Sequence, residues 1–366
     1  MIEQMPRIEE VPAAFLSGRR VADGWVVGDV AVKSVNGTGG HFSVCYVAHH
    51  DDGRVAFMKA LNFNAAANPA RPLTDQLNEF TGAYMFERDL LGDCTARKLT
   101  RVVRLLGYGE VEVLEAPPVV RSVPYLLFEM ADGDIYAFQE RSENLDAAWF
   151  FRVVKNSLEA IGQLHANGVV HQDLKPSNVL THDGGMEMKV GDLGRADKLG
   201  TETWWSDFDT PGAMVYAPPE QQYGYCTRTW EERRAVDLYL AGSLGAQLFL
   251  GPCMSTLIGE RLPAECRLGK WTGSQEELMP HLEAAHAEVI ANLEREVFAR
   301  TGHAQNAHDF AVAVSQMTYP DVPLRGHPKD RASATSSFSV QRYVSLMELL
   351  TIRAKIRALM TRCADA

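Results

Sequence analysis

A chain of 366 residues, 46% of them hydrophobic, is long enough for one large two-lobed domain or two ordinary ones with real cores. Its formal net charge of -11 excludes a general nucleic-acid binder, because phosphate backbones demand a basic footprint. The six cysteines, Cys45, Cys94, Cys226, Cys253, Cys266 and Cys363, form no C-x-x-C pair; neither a zinc site nor a disulfide framework is indicated, and reduced cytoplasm is the simplest compartment.

In chain order, Met-Ile-Glu-Gln-Met-Pro has no basic segment leading into an apolar run and does not read as a signal peptide, so residues 1–24 are a leader. Strand-like runs follow from Trp25, over Phe42 to Val47 and over Val55 to Leu61. Between the first two lies Asn36-Gly37-Thr38-Gly39-Gly40-His41-Phe42-Ser43, either a plain turn or a hairpin tip whose glycines let backbone amides approach a polyphosphate. Val55-Ala56-Phe57-Met58-Lys59-Ala60-Leu61 sets one lysine in an apolar strand; Lys59 either points to solvent or needs an anionic partner. A helix from about Leu73 to Leu91 offers Glu79 and Glu87 for that role, and the strand Val102-Val103-Arg104-Leu105 comes next.

Tyr125-Leu126-Leu127-Phe128-Glu129-Met130 is an apolar strand running into Ala131-Asp132-Gly133-Asp134, and apolar residues at helical spacing mark a long core helix from Ala147 to Asn167. In His171-Gln172-Asp173-Leu174-Lys175-Pro176-Ser177-Asn178-Val179-Leu180 an acid, a lysine and an asparagine sit together between apolar flanks, as in a loop clamped by short strands. Side chains so spaced suit work on a phosphate: Asp173 to orient a hydroxyl, Lys175 to offset the moving charge, Asn178 to hold a metal ion. Asp192 ends the apolar run Met188 to Gly191, where a carboxylate suits magnesium. The apolar stretch Ala235 to Gly251 is interrupted by Asp237 and reads as a buried helix, leaving no transmembrane segment. His281, His286, His303 and His308 are spaced wrongly for a helical metal site and read as solvated or capping residues. A polar linker, Arg331 to Ser339, leads to an amphipathic basic helix, Val340 to Met360, read chiefly as packing on the large lobe and otherwise as a contact for an acidic membrane or partner.

These stretches, in this order, resemble the protein-kinase superfamily over about Trp25 to Pro328. Asp173, Lys175 and Asn178 match its catalytic loop, with Lys-Pro as in the serine/threonine branch; Asp192-Leu193-Gly194 stands at the D-F-G motif, and Tyr216-Ala217-Pro218-Pro219-Glu220 resembles the A-P-E motif. The resemblance implies an α+β bilobal fold, a small antiparallel β lobe with one helix above a mostly helical lobe. It divides the chain into 1–130, 131–330 and a tail, 331–366.

It further implies an enzyme that uses ATP and Mg2+ to phosphorylate serine or threonine on a protein substrate, itself included. Lys59 would grip the phosphates and pair with Glu87, preferred over Glu79 because residues 62–73 read as an insertion; Asn178 and Asp192 would hold magnesium. Gly37, Gly39 and Gly40 would cover the phosphates, Phe128 would be the gatekeeper, backbone groups of Glu129, Met130 and Ala131 would meet the adenine, and Leu180 would form its floor. Residues Arg195 to Tyr216 would be the activation segment, with Thr210 touching Asp173 and Lys175, Asp237 anchoring the catalytic loop from below, and Glu220 paired with Arg325.

Three departures stand out: an irregular glycine stretch, Phe57 where the family has the alanine that walls the adenine pocket, and Gln172 where many members carry an arginine that receives a phosphate. A bulge would restore Ala56 to that wall; otherwise Phe57 narrows the pocket. Gln172 implies activity that depends little on phosphorylation of the segment. The departures leave a pseudokinase as the competing reading, beside a small-molecule phosphotransferase of related fold.

Overall fold

The computed structural model describes residues 11–31, 43–62, 72–114, 121–142, 145–333 and 337–364. Strands β1 (Trp25–Val30), β2 (Ser43–His50) and β3 (Val55–Leu61) are followed by helix α1 (Leu73–Ala96) and by β4 (Leu105–Glu112) and β5 (Ser122–Glu129). They form a five-stranded antiparallel sheet in the order β1-β2-β3-β5-β4. β4 begins at Leu105; upstream of it, Val102 makes only an isolated bridge to Val190, so the expected strand at Val102 to Leu105 is displaced toward the carboxyl end. Strand alternation explains the sheet's two faces: Ala56, Met58 and Ala60 are buried in one core with Tyr46, Tyr125 and Leu127, leaving Phe57 and Lys59 on the other side. The leader is part of this core, since Ala13 and Leu16 are buried in it and Tyr46 Oη donates to the Ala13 carbonyl at 2.6 Å.

Below the sheet come β6 (Gly133–Asp134), α2 (Ile135–Arg141), α3 (Ala147–Ala166), β7 (Val169–Val170), β8 (Val179–His182), β9 (Glu187–Val190) and β10 (Asp197–Lys198). Helices α4 (Pro219–Gln222), α5 (Trp230–Leu250), α6 (Met254–Arg261), α7 (Gln275–Thr301), α8 (Ala304–Met317), α9 (Pro328–Arg331) and α10 (Gln341–Ala364) complete the chain. Side-chain caps set the long helices: Asp146 accepts from Trp149 N, Thr229 from Glu232 N, and Ser274 and Glu277 form a reciprocal box. Phe150, Phe151, Leu158, Tyr239 and Phe310 fill the second, larger core. The architecture is the expected α+β pair of lobes, a β sheet with one helix over a helical body.

Helix α10 lies along α3. Tyr343, Met347 and Leu350 are buried, and the basic residues find acids on the body, Arg342 with Asp330 at 2.9 Å and Arg353 with Asp309 at 3.2 Å. Beyond Leu350 the side chains of Ile352, Ile356 and Leu359 are exposed. Among the described residues no single helix is long and apolar enough to cross a membrane.

The histidines part ways. His303 caps α8 and His308 pairs with Glu294, but His286 is neither solvated nor a cap: it is buried, hydrogen-bonded to Thr318 at 2.9 Å. Burial, aided by Arg325, lowers its pKa from 6.5 to about 4. The folded protein then holds His286 neutral while the unfolded chain takes up a proton, so stability present above pH 6.5 is lost as pH falls toward 4, in total on the order of 3 kcal/mol. Urea denaturation between pH 7 and 5 should show a shallower loss for His286→Gln than for the wild type; identical slopes would contradict this.

Candidate active site

The loop from His171 to Asn178 owes its shape to Asp237, which is fully buried within α5. Asp237 accepts from His171 N at 2.8 Å, Gln172 N at 2.7 Å and His165 Nε2 at 2.9 Å. Burial would push the Asp237 carboxyl up, but the hydrogen bond from His165, then the nearby His171, hold it below the usual range. Removing these donors would strand a buried charge, so α5 and the loop are rigidly joined. The part of His165 has no distinct sequence signal, since a histidine ending an apolar helix is common.

On this base Asp173, Lys175 and Asn178 meet. Asp173 Oδ2 accepts from Lys175 Nζ at 2.7 Å and Asn178 Nδ2 at 3.2 Å, and Asn178 Nδ2 also reaches the Asp173 carbonyl at 2.8 Å. The Asn178 nitrogen is thereby engaged, which leaves its side-chain oxygen as the atom suited to a cation. Gly191 N donates to the Asn178 carbonyl at 2.9 Å, so the β8–β9 pairing sets Asp192 beside Asn178.

Asp192 has φ 57°, a left-handed conformation that aspartate tolerates better than most residues. Its Oδ1 accepts from Lys59 Nζ at 3.1 Å, and the same nitrogen lies 3.2 Å from both Glu87 oxygens. Glu87, not Glu79, is therefore the helix partner: eight residues earlier in α1, Glu79 stands about 12 Å away along the axis. Lys59 holds Asp192 down at about 2, against some desolvation, whereas burial raises Glu87 despite Lys59. Burial opposes the Lys59 charge, but Asp192 and Glu87 outweigh it and raise its pKa. Asp192 is thus an anion across the ordinary pH range, as a magnesium ligand must be. Among the described residues no three His, Cys, Asp or Glu side chains group as a metal site, so an ion here would rest on Asp192, Asn178 and oxygens of a bound nucleotide.

The cleft wall carries the other expected residues. Phe128 is buried in β5 opposite Phe57, and the β2–β3 and β3–β5 registers run without a bulge, so Phe57 stays on the Lys59 side of β3. Glu129 N donates to the Arg104 carbonyl at 3.1 Å, and the Glu129 carboxylate accepts from Arg104 N at 2.9 Å and from Lys189 Nζ at 2.7 Å, tying sheet to body. Met130 and Ala131 continue from it along the connection between lobes, Met130 exposed and Ala131 half-buried, and Leu180 is half-buried against Gly191. Gly37, Gly39 and Gly40 lie outside the described residues.

Thr210 does not reach Asp173; its hydroxyl faces Met214 Sδ at 3.9 Å. Asp173 Oδ1 instead accepts from Ala213 N at 2.9 Å. A Cβ on Gly212 would strike the Gln172 carbonyl and come within 3.0 Å of Asp173 Oδ1, so only glycine allows this approach. A backbone donor carries no side-chain signature, which is why the sequence pointed to the nearby threonine. Farther down, Glu220 and Arg325 form a buried two-pronged pair at 2.7 and 2.9 Å.

Comparison with known proteins places this geometry. The model of the protein kinase domain matches residues 31–260. Mitogen-activated protein kinase 19 of Arabidopsis thaliana is 26% identical over 160 residues, 42% of this chain and 26% of that protein. Cyclin-dependent kinase F-3 of Oryza sativa subsp. japonica is 21% identical over 202 residues (54% and 44%), and CTD kinase subunit alpha of Schizosaccharomyces pombe is 29% identical over 167 residues (45% and 27%). The matched regions span from about a quarter to under half of these relatives' length.

Proposed function

The chain belongs to the protein kinase family, and from that membership we propose that it transfers the γ-phosphoryl group of ATP to serine or threonine hydroxyls of a protein. The observation that carries the reading is the meeting of Lys59, Glu87 and Asp192 beside Asp173, Lys175 and Asn178. Lys59, fixed by Glu87, orients the nucleotide phosphates. Asp192 and the Asn178 oxygen are the protein's ligands for magnesium, which when bound neutralises the phosphate oxygens. Asp173 orients the substrate hydroxyl and takes its proton as the new O–P bond forms and the bond to the ADP oxygen breaks. Lys175 offsets the negative charge on the transferred group. Glu87 and Lys59 differ from surface charges in being desolvated, which strengthens their pull on one another and on a polyphosphate.

The kinship to serine/threonine kinases and the Lys175-Pro176 step favour serine or threonine over tyrosine as acceptor. Purified protein incubated with labelled ATP and magnesium should label serine or threonine residues, mapped by mass spectrometry, in a generic protein substrate or in itself. One observation favours a second reading, a nucleotide-binding module without transfer: Phe57, larger than alanine, stands on the Lys59 side of β3. Binding of ATP with no label transferred to protein or to released phosphate would select that reading and overturn the first.

A further inference from the structure

The segment 195–216 is braced from both sides while the Gln172 side-chain amide nitrogen is engaged elsewhere. Gln172 takes φ 62° and turns its amide nitrogen down to the Arg233 carbonyl at 2.7 Å and Asp237 Oδ1 at 3.1 Å. Arg228 donates to the Asp207 carbonyl at 2.7 Å, and the buried cation that reaches the segment from α5 is Arg233. It donates to the Ser206 carbonyl, and its Nη1 stands 2.9 Å from Asp197 Oδ2, an ion pair set off the hydrogen-bond line. Both side chains are buried, and Asp197 lies in β10, which pairs with β7 just ahead of the catalytic loop. An anion built into the chain thus occupies the basic group, and no added phosphate is needed to engage it.

Next to Ser206 in the chain is Trp205, 1% exposed. Its indole donates to the Ala196 carbonyl at 3.0 Å, and its ring meets Phe86 edge to face at 5.4 Å. Phe86 is the residue before Glu87 in α1. Arg195 lies over the faces of Trp204 and Trp205, and the Thr203 and Ser206 hydroxyls bond each other at 2.8 Å, closing the turn that presents Trp205.

Resting on the kinase reading above, we infer that Trp205 is a positioning residue for phosphoryl transfer: hydrogen-bonded to Ala196 and packed on Phe86, in a segment that the Arg233–Asp197 pair ties to α5, it holds α1 where Glu87 meets Lys59, so the site is assembled without a phosphate on segment 195–216. The path is physical at each step, from α5 through the ion pair to the segment, through the indole to Phe86, and from Phe86 to Glu87, the next residue of α1.

The test compares wild type, Trp205→Ala, Trp205→Phe, Phe86→Ala and the double alanine variant, all phosphatase-treated, by kcat with labelled ATP and by hydrogen exchange along α1 and α5. Wild type should keep its kcat within about twofold after phosphatase. Each alanine variant should lose about tenfold in kcat, the rate equivalent of about 1.4 kcal/mol, with KM for the protein substrate unchanged. The double variant should be no slower than the worse single one, Trp205→Phe should recover most of the rate, and α1 amides around Glu87 should exchange faster while α5 stays protected. Losses that multiply, unchanged exchange in α1, or a tenfold fall of wild-type kcat on phosphatase treatment would overturn the inference. Should Trp205→Ala fail to fold, Phe86→Ala and Phe86→Leu put the same question through the half-buried partner, and full kcat with unaltered exchange there would overturn it. Absence of any transfer by wild type defeats the kinase reading alone, because the exchange arm still reads the brace.

Discussion

Replacing Asp173 with asparagine should cut phosphoryl transfer by on the order of 10²–10⁴-fold, the usual worth of a positioned proton acceptor. The amide cannot take the hydroxyl proton, and it offers one acceptor oxygen where the carboxylate has two. Lys175 and Asn178 donate to Oδ2 while Ala213 N donates to Oδ1, so in the variant one of these donor sets faces an NH₂ group. That local conflict should lower stability by about 1–3 kcal/mol, with cooperative unfolding retained. Labelling from radioactive ATP, read beside a thermal melt, separates the two effects. Transfer at the wild-type rate in a folded variant would remove Asp173 from the mechanism.

Arg325→Ala should produce the largest loss of stability, about 3–5 kcal/mol, because it leaves a buried carboxylate without its partner. Both Arg325 and Glu220 are almost wholly inside. The guanidinium also donates to the carbonyls of Tyr319 at 2.9 Å and Ala235 at 3.2 Å, and it lies over the Tyr239 ring. Truncation therefore takes the donor from Glu220 on α4 and from the Tyr319 carbonyl in the loop after α8. Since an ion pair replaced whole by apolar groups is often tolerated, a Glu220→Leu, Arg325→Met double variant should recover much of the loss. Urea denaturation of the three proteins tests this, and a single variant within 1 kcal/mol of wild type would refute the account.

Much of the site was legible because its members lie close in sequence or follow strand alternation. Asp173, Lys175 and Asn178 span six residues of one loop, so their meeting depends on local chain geometry, stiffened by Pro176. The period of two puts Phe57 and Lys59 on one face before any sheet is built; whether a bulge intervened was a question of pairing register, answered by partners on β2 and β5. The carboxylate Asp237 inside an apolar helix was legible as a buried anchor, because an unpaired charge there would be too costly to keep.

Other features needed the assembled lobes. The insertion at 62–73 favours Glu87 over Glu79 from sequence, and the position of α1 against β3 is what brings it to Lys59. Ala213 meets Asp173 through a backbone amide, a group every residue but proline has, so no residue type announces it. Arg233 and Asp197 are 36 positions apart, and Phe86 and Trp205 are 119 apart; each looks like an ordinary surface or core residue in its own stretch. The sequence by itself determined the order of the motifs and the side chains that carry charge, because those follow from periodicity and from spacing within single loops, and that order, through its resemblance to the protein-kinase family, implied the two lobes. Only the tertiary structure decided which distant residues act as partners and how segment 195–216 is held, because desolvation and packing arise between elements that chain order does not bring together.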